Sequence, residues 1–277
     1  MKENTTTGSR LLNTRLRRIE GRHNALVKEL RRAFSRGELT SDGYCAIEGF
    51  RILEEAIRSG LRFRAVFFSE SAAPKAEKLL SHLAAQVATL LLPDSLFPHA
   101  VPSGALQARA ALARRQHLRR RGVVATRPRR TTLAIAGVQD PGNLGTILRS
   151  AEAFGAGGVL LGEGTVSPYN PKVVRASAGS VFRLPLARTK LSESLGWMKD
   201  HGFRLIGTAS HKCTPLDQAK LSGPLAIFIG SEGAGLSRDL IKAMDEVVAI
   251  PQAPQVESLN VGVATSIALY EAMRQNP

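Results

Sequence analysis

The second half of the chain repeats one pattern, in which a short apolar run is followed by a stretch with helical spacing. From residue 131 onward, six runs are almost entirely apolar: TTLAIAGV, GGVLL, FRLPLA, FRLIGTAS, LAIFIG and EVVAI. Strands that are apolar along their whole length are buried on both faces, which requires helices on both sides of a mostly parallel sheet. We therefore predict an α/β fold with a mostly parallel sheet for residues 131–277.

Three loops that follow these strands carry unusual polar residues. The first covers residues 139–150, the second covers 231–236, and the third follows EVVAI and ends in the sequence ESLN at 257–260. Open α/β sheets bind ligands beyond the carboxyl ends of their strands. We therefore expect the three loops to converge on one pocket, although Ser258 and Asn260 are equally suited to capping the helix that follows them.

The chain lacks the signatures of several kinds of site. It contains no G-x-x-x-x-G-K-[ST] motif, its glycine clusters do not fit G-x-G-x-x-G after a strand, and none of its six histidines lies in the three loops. A nucleotide-dependent enzyme is thus disfavoured, and a cofactor without phosphates is favoured. Cys45 and Cys213 lie far apart, and we interpret His211 beside Cys213 as incidental, so we expect reduced thiols and no metal.

The positive charge of the chain is concentrated in its first half. Residues 1–130 contain 25 Lys and Arg against 11 Asp and Glu, whereas residues 131–277 contain 13 against 12. A basic half beside a neutral half is typical of a protein that binds a polyanion, and we favour nucleic acid over other acidic partners. Because aromatic residues make up 5% of the chain, phosphate contacts should contribute more to affinity than base stacking.

The first half is predicted to contain a small α/β domain at residues 22–113. Helical spacing occurs in RHNALVKELRRAF, AIEGFRILEEAIRSG and PKAEKLLSHLAAQ, and strand patterns occur in RAVFFS and VATLLLP. Residues 1–21 are polar and are expected to be flexible. Residues 114–130 are rich in arginine without an acidic residue, and they are predicted to be a basic linker, a nucleic-acid contact or both. Without a signal core or membrane-length run, a cytoplasmic protein with no membrane contact is expected.

Three segments in the second half resemble the ordered motifs of a known family. They are NLGTILRSAEAFGA at 143–156, IGSEGAGL at 229–236, and IP with VESLNVGVAT at 250–265. These segments are similar to the motifs of the SpoU, or TrmH, family of RNA ribose 2′-O-methyltransferases in the SPOUT superfamily. The first half resembles, more loosely, the L30e-like substrate-binding domain that often precedes this catalytic domain. Gln252 stands where the family commonly has Met, and Gly262 where it commonly has Ser.

The resemblance implies a knotted fold, a cofactor and a dimer. It implies a C-terminal trefoil knot that forms the pocket for S-adenosyl-L-methionine, and a homodimer that completes the active site. The positions that match the family's cofactor contacts are Gly230, Glu232, Ile250, Ser258 and Leu259. The positions that match its polar active-site residues are Asn143, Arg149, Glu232, Ser258 and Asn260.

The reaction that the resemblance implies is an in-line attack of a ribose 2′-oxygen on the methyl group of the cofactor. Because a guanidinium group stays protonated, we expect Arg149 to position phosphate or ribose and to stabilise developing negative charge, not to act as the base. Asn143 and Asn260 are expected to orient Arg149 and the nucleotide, and Glu232 to position the cofactor or a water. From position alone, Arg149 could equally be a helix-surface residue, Asn143 a helix cap and Glu232 a turn residue.

The resemblance also implies an RNA substrate, and ribosomal RNA is expected because a separate basic domain suits a large structured RNA. Transfer RNA is the alternative substrate. A catalytically inactive RNA-binding protein with the same fold is the alternative function.

Overall fold

The computed structural model of the protein describes residues 15–101, 109–114, 122–123, 131–211 and 213–276. Contacts divide the chain into two compact units. The first unit comprises residues 1–116 together with 169–175, and the second comprises residues 117–168 and 176–277. The predictions for residues 1–14 and for most of the basic linker at 114–130 lie outside the described residues.

The first unit is built on a mixed sheet of five strands. These strands are β1 (Leu16–Arg18), β2 (Tyr44–Glu48), β3 (Arg62–Ser69), β4 (Ala88–Leu92) and β5 (Arg109–Arg114). Their order across the sheet is β1-β4-β3-β5-β2. Strand β4 pairs in parallel with β1 and β3, and β5 pairs antiparallel with β3 and β2. The helices are α1 (Ala25–Arg36), α2 (Phe50–Arg58), α3 (Glu77–Leu80) and α4 (Phe97–Ala100), with a 3₁₀ helix at Glu70–Lys75.

Helix α1 forms where the helical spacing of residues 22–34 predicts it. The side chain of Asn24 caps its first turn, and Gly37 ends it in the left-handed conformation with φ of 60°. Its buried residues are Val27, Leu30, Ala33 and Phe34. Because Arg31 and Arg32 are exposed, the helix presents basic side chains to solvent while its apolar face lies in the core of the unit.

Several elements of the first unit differ from the sequence prediction. Strand β1 lies within residues 1–21, which are predicted to be flexible, and its three residues pair with β4. Strand β2 occupies the start of a predicted helix and pairs over five residues with β5. The helix predicted at residues 74–86 is reduced to the four residues of α3. The two strand differences arise because pairing with strands distant in sequence overrides local propensity.

The second unit is built on a sheet of seven strands. They are β6 (Thr132–Ile135), β7 (Gly158–Leu161), β8 (Leu186–Arg188), β9 (Arg204–Ala209), β10 (Thr214–Pro215), β11 (Leu225–Ile229) and β12 (Glu246–Ala249). Their order is β10-β12-β9-β11-β6-β7-β8, and each neighbouring pair is parallel. Every residue of β6, β7 and β11 is buried, as expected for strands covered on both faces. The predicted α/β class with a mostly parallel sheet is therefore confirmed.

Helices connect most of the strands of this sheet. They are α5 (Pro141–Ala153), α6 (Pro171–Ala176), α7 (Ser180–Arg183), α8 (Ser192–Asp200), α9 (Arg238–Ala243) and α10 (Val261–Gln275), with a 3₁₀ helix at Leu216–Gln218. The assignment to units divides helix α6, because residues 171–175 belong to the first unit and residue 176 belongs to the second. The predicted strand FRLPLA is shorter than expected, because its first two residues end α7 and β8 begins at Leu186. Within the described ranges, no helix is long and apolar enough to cross a membrane.

Candidate active site

The order of the strands brings the three predicted loops to neighbouring positions at one edge of the second sheet. Strand β11 pairs with β6 on one side and with β9 on the other, and β12 pairs with the far side of β9. Because all these pairs are parallel, the carboxyl ends of the strands point the same way. The segments that leave β6, β11 and β12 therefore emerge together.

A cavity of about 420 Å³ lies at this edge, between the ends of β9, β11 and β12 and the start of α10. Apolar side chains of Leu216, Ile229, Val248 and Ala268 contribute to its walls. The five positions that match the family's cofactor contacts also line it: Gly230, Glu232, Ile250, Ser258 and Leu259. The structure thus brings together five residues that come from two loops more than ten residues apart in sequence.

The loop after β11 folds back tightly on itself. Ser231 and Gly235 exchange two backbone hydrogen bonds, of 3.2 and 3.1 Å, and Gly235 has a φ of 63°. A Cβ atom on Gly230 would lie 2.1 Å from the carbonyl carbon of Gly235. Since such a contact is sterically impossible, a side chain at position 230 would force the loop open and displace Glu232.

A chain of side-chain hydrogen bonds joins the three loops. Asn143 Nδ2 donates to Glu232 Oε1 at 3.0 Å, and Asn260 Nδ2 donates to Asn143 Oδ1 at 2.9 Å. One bond uses the nitrogen of the Asn143 amide and the other uses its oxygen, so the two partners fix the orientation of this amide. Three of the residues predicted for catalysis therefore form one connected group beside the cavity.

Helix capping accounts for how Asn143 and Asn260 are held. Asp140 caps α5 by accepting from the backbone N–H of Asn143 at 2.7 Å, so the alternative in which Asn143 is the cap is wrong. Asn260 caps α10, since its Oδ1 accepts from the N–H groups of Gly262 and Val263 at 2.9 and 3.3 Å. Asn260 is therefore both a helix cap and a member of the polar chain, the hydrogen-bonded side chains of Glu232, Asn143 and Asn260.

Arg149 lies apart from the other predicted catalytic residues. It is on the third turn of α5, is exposed and does not line the cavity. Within the described part of the chain, its guanidinium group forms no ion pair. Of the residues predicted for catalysis, Glu232 and Ser258 line the cavity, and Asn143 and Asn260 are joined to Glu232 by hydrogen bonds. Among the described residues, Arg149 takes part in neither arrangement.

Helices α5 and α10 pack closely beside the polar chain. The hydroxyl groups of Ser150 and Ser266 are hydrogen-bonded at 2.6 Å. A Cβ atom on Gly262 would lie 3.2 Å from Cγ2 of Thr146 and 3.1 Å from Oδ1 of Asn260. Glycine at position 262, where the family commonly has Ser, therefore suits the close approach of the two helices.

Two residues beside the cavity are missed by the sequence analysis. His211 Nε2 lies 2.7 Å from the carbonyl oxygen of Glu257, so a residue interpreted as incidental joins the end of β9 to the third loop. Gln252 lines the cavity and contacts two backbone carbonyl groups. The sequence signal for Gln252 is its departure from the family's Met. Among the residues that the structure describes, no group of three or more His, Cys, Asp or Glu could hold a metal ion.

A cavity at the carboxyl edge of a parallel sheet, walled by loops and a helix start, defines an α/β enzyme with a small-molecule site. The family model described as SpoU rRNA Methylase family matches residues 130–270 of this chain. The chain belongs to this family, and the resemblance found in the sequence is confirmed.

Relatives match nearly the whole chain. The 23S rRNA (guanosine(2553)-2′-O)-methyltransferase RlmP of Bacillus subtilis (strain 168) is 32% identical over 92% of this chain and 98% of RlmP. An uncharacterised tRNA/rRNA methyltransferase of Synechocystis sp. is 36% identical over 93% of both chains. The solved structure of an AdoMet-bound rRNA methyltransferase from Sinorhizobium meliloti gives a TM-score of 0.82 at 26% identity, covering 94% of this chain and 98% of that one. The similarity therefore extends well beyond the motif segments.

Proposed function

We propose that this chain is an S-adenosyl-L-methionine-dependent RNA ribose 2′-O-methyltransferase that acts on ribosomal RNA as a homodimer. The observation that carries the proposal is the polar chain Glu232–Asn143–Asn260 beside the cavity, in a protein of the SpoU family. Ribosomal RNA is favoured over transfer RNA because RlmP, named for 23S rRNA, matches over almost its full length. Because ribosomal RNA is the proposed substrate, we also propose that the protein acts in the cytoplasm. The trefoil knot stays a prediction.

The cavity suits the proposed cofactor in both shape and chemistry. Leu216, Ile250 and Leu259 supply apolar surface for a flat heterocycle. The backbone N–H and C=O groups of Leu259 have no hydrogen-bond partner in the described part of the chain, so both are available to a ligand. Glu232 supplies a carboxylate to a ligand that carries positive charge. We therefore propose Gly230, Glu232, Ile250, Ser258 and Leu259 as the residues that hold S-adenosyl-L-methionine.

The bound cofactor supplies an electrophilic methyl group, and the polar chain positions the nucleotide that receives it. Asn143 Nδ2 carries two N–H groups, of which one is donated to Glu232. The other has no partner among the residues that the structure describes, so it can donate to the ribose or phosphate of an incoming nucleotide. Because Glu232 and Asn260 hold the amide from both sides, this donor is oriented before the RNA binds, which lowers the cost of aligning the two substrates.

The homodimer is proposed from an exposed apolar stripe on α10. Val263, Ile267 and Tyr270 follow one another at helical spacing and are 47%, 37% and 50% exposed. The ring of Tyr270 contacts Phe154, just beyond the end of α5, at a centroid distance of 5.8 Å. The stripe therefore lies next to the helix that carries Arg149. A partner that covers this stripe would bury apolar area and would accept Arg149 from the neighbouring chain.

In such a dimer, Arg149 would act on the cavity of the partner chain. A guanidinium group provides a fixed positive charge and a planar set of donors for phosphate or ribose oxygens. There it would stabilise the negative charge that develops on the 2′-oxygen, as preorganised donors do in other transfer reactions. This assignment explains why the exposed Arg149 does not line the cavity of its own chain.

The test is methyl transfer from S-adenosyl-L-methionine with a labelled methyl group to deproteinised ribosomal RNA, with transfer RNA assayed in parallel. Alkali does not cleave RNA next to a 2′-O-methyl ribose, so the label should appear in alkali-resistant dinucleotides from ribosomal RNA. Label in base-modified mononucleotides would overturn the proposed chemistry, and label in transfer RNA alone would overturn the proposed substrate. Cofactor binding without transfer to either RNA would support the inactive RNA-binding alternative.

A further inference from the structure

We propose that Gln252 is a cofactor-contacting residue, whose side-chain oxygen accepts a hydrogen bond from the 6-amino group of the adenine ring. This inference rests on the proposed function. It extends that function to a residue outside the positions that match the family's cofactor contacts.

The backbone around Gln252 fixes the orientation of its side-chain amide. Gln252 Nε2 lies 3.4 Å from the carbonyl oxygen of Ile250 and 3.5 Å from that of Ser210. Carbonyl oxygens only accept hydrogen bonds, so the nitrogen of the amide must face them. The oxygen, Oε1, consequently points away from both carbonyl groups.

Gln252 Oε1 is buried and has no hydrogen-bond partner among the residues that the structure describes. Buried polar atoms in folded proteins are almost always hydrogen-bonded, because an unpaired acceptor that has lost its water is unfavourable. Since Gln252 lines the cavity, a ligand in that cavity can supply the missing donor. The orphaned oxygen is therefore explained by a ligand with an N–H or O–H group at this position.

The strand order indicates which part of the cofactor lies near Gln252. Gln252 contacts residues that follow β9 and β12, whereas Glu232 follows β11 and Asn143 follows β6. The cavity thus has a polar end, where the nucleotide is positioned and the methyl group must lie. The adenosine part of the ligand then extends toward the other end, where Leu216 and Ile250 provide apolar surface for the ring. At the edge of that ring, the 6-amino group is a donor suited to Gln252 Oε1.

The experiment measures the binding of S-adenosylhomocysteine to the full-length protein by calorimetry. Gln252→Met keeps the length of the side chain but removes the acceptor, and the dissociation constant should rise about fivefold to thirtyfold. Gln255→Met is the matched control, because Gln255 is an exposed residue of the same loop that does not line the cavity. Gln255→Met should bind S-adenosylhomocysteine with the same dissociation constant as the wild type. Gln252→Leu repeats the test with a different apolar side chain.

A second ligand identifies the donor. S-inosylhomocysteine has an oxygen in place of the 6-amino group, so the advantage of the wild type over Gln252→Met should disappear with this ligand. If Gln252→Met binds S-adenosylhomocysteine as tightly as the wild type, the inference is overturned while the proposed function stands. The same conclusion follows if the advantage of the wild type persists with S-inosylhomocysteine. If the wild type binds neither ligand, the proposed cofactor itself is wrong.

Discussion

At the residue scale, Asn260 connects the stability of the second unit with its chemistry. Its Oδ1 caps α10 and its Nδ2 holds Asn143, so one side chain performs both tasks. Asn260→Ala should lower the free energy of unfolding by about 1 kcal/mol, the usual value of a missing cap, and should also slow methyl transfer. Urea denaturation and single-turnover transfer would measure the two effects. Asn24→Ala, which removes a similar cap from α1, should lower stability without changing the transfer rate at saturating RNA.

Substitution of Arg149 should have a different effect, because the residue is exposed and lies in the interior of α5. Arg149→Ala is expected to fold normally and to bind S-adenosyl-L-methionine with unchanged affinity. Its single-turnover transfer should be slower by about a hundredfold to a thousandfold, which corresponds to the loss of about 2.7–4 kcal/mol of transition-state stabilisation. Arg238→Ala, an exposed Arg on α9, is the control. A near-normal rate of methyl transfer by Arg149→Ala would show that Arg149 is a helix-surface residue without a catalytic role.

Sequence reasoning finds those site residues that are marked by their place in a loop. Glu232 and Ser258 could be predicted to line one cavity because both follow apolar runs that form strands of a parallel sheet. His211 and Gln252 could not, because each contacts a backbone carbonyl group more than forty residues away, that of Glu257 for His211 and that of Ser210 for Gln252. Any residue type offers such carbonyl groups, so no local pattern marks the partner.

At the element scale, α5 is fixed to α7 by an ion pair. Arg183 contacts both carboxylate oxygens of Glu152, with Nη2 at 2.9 Å from Oε2. The hydrogen bonds from Arg183 lower the pKa of Glu152, while partial burial opposes this shift. A carboxyl group with a lowered folded-state pKa adds stability above its unfolded-state pKa and loses it as the pH falls through the folded-state value.

Glu152→Gln should therefore lower the melting temperature at pH 7 by an amount that corresponds to about 0.2–1 kcal/mol, since the pair is partly exposed. The difference from the wild type should shrink as the pH falls through the acidic range in which Glu152 of the folded protein becomes protonated. Thermal unfolding at a series of pH values would measure this. A difference that stays constant down to the lowest pH would mean that the pair does not contribute through its charge.

The apolar stripe on α10 provides a test of the dimer. Ile267→Asp places a charge in the centre of the stripe and should convert a dimer into a monomer at micromolar concentration, with loss of methyl transfer. Ile241→Asp is the matched control, because Ile241 on α9 is similarly exposed, at 39% against 37%, and lies outside the stripe. Sedimentation equilibrium would distinguish the two. A wild type that is monomeric and fully active would contradict the shared site.

The sequence predicts a strand most reliably where a short apolar run is clearly separated from the neighbouring helical patterns. Strands β6, β7 and β11 lie within predicted apolar runs because burial on both faces leaves few polar positions. Strand β2 has the sequence YCAIE and leads directly into α2, so its apolar residues continue the helical spacing that follows. Only its pairing with β5, more than sixty residues away, makes it a strand.

At the scale of the whole molecule, the basic first half should determine how RNA affinity depends on salt. Arg31 and Arg32 project from the exposed face of α1. Replacing both with Ala should weaken RNA binding and reduce the slope of log affinity against log salt by about 1 for each phosphate that is no longer neutralised. The affinity for S-adenosylhomocysteine should not change. Arg238→Ala serves as the control. An unchanged salt slope in the double variant would show that Arg31 and Arg32 do not contact RNA phosphates.

The measurement that tests the proposed function most directly is a map of ribose 2′-O-methylation across ribosomal RNA from cells with and without this protein. Loss of the protein should remove methylation from a specific ribose, and the wild-type gene should restore it. Arg149→Ala, expressed at the same level, should not restore it, and the transfer RNA map should stay unchanged. Identical ribosomal RNA maps with and without the protein, or the loss of a base methyl group in place of a ribose methyl group, would contradict the assignment.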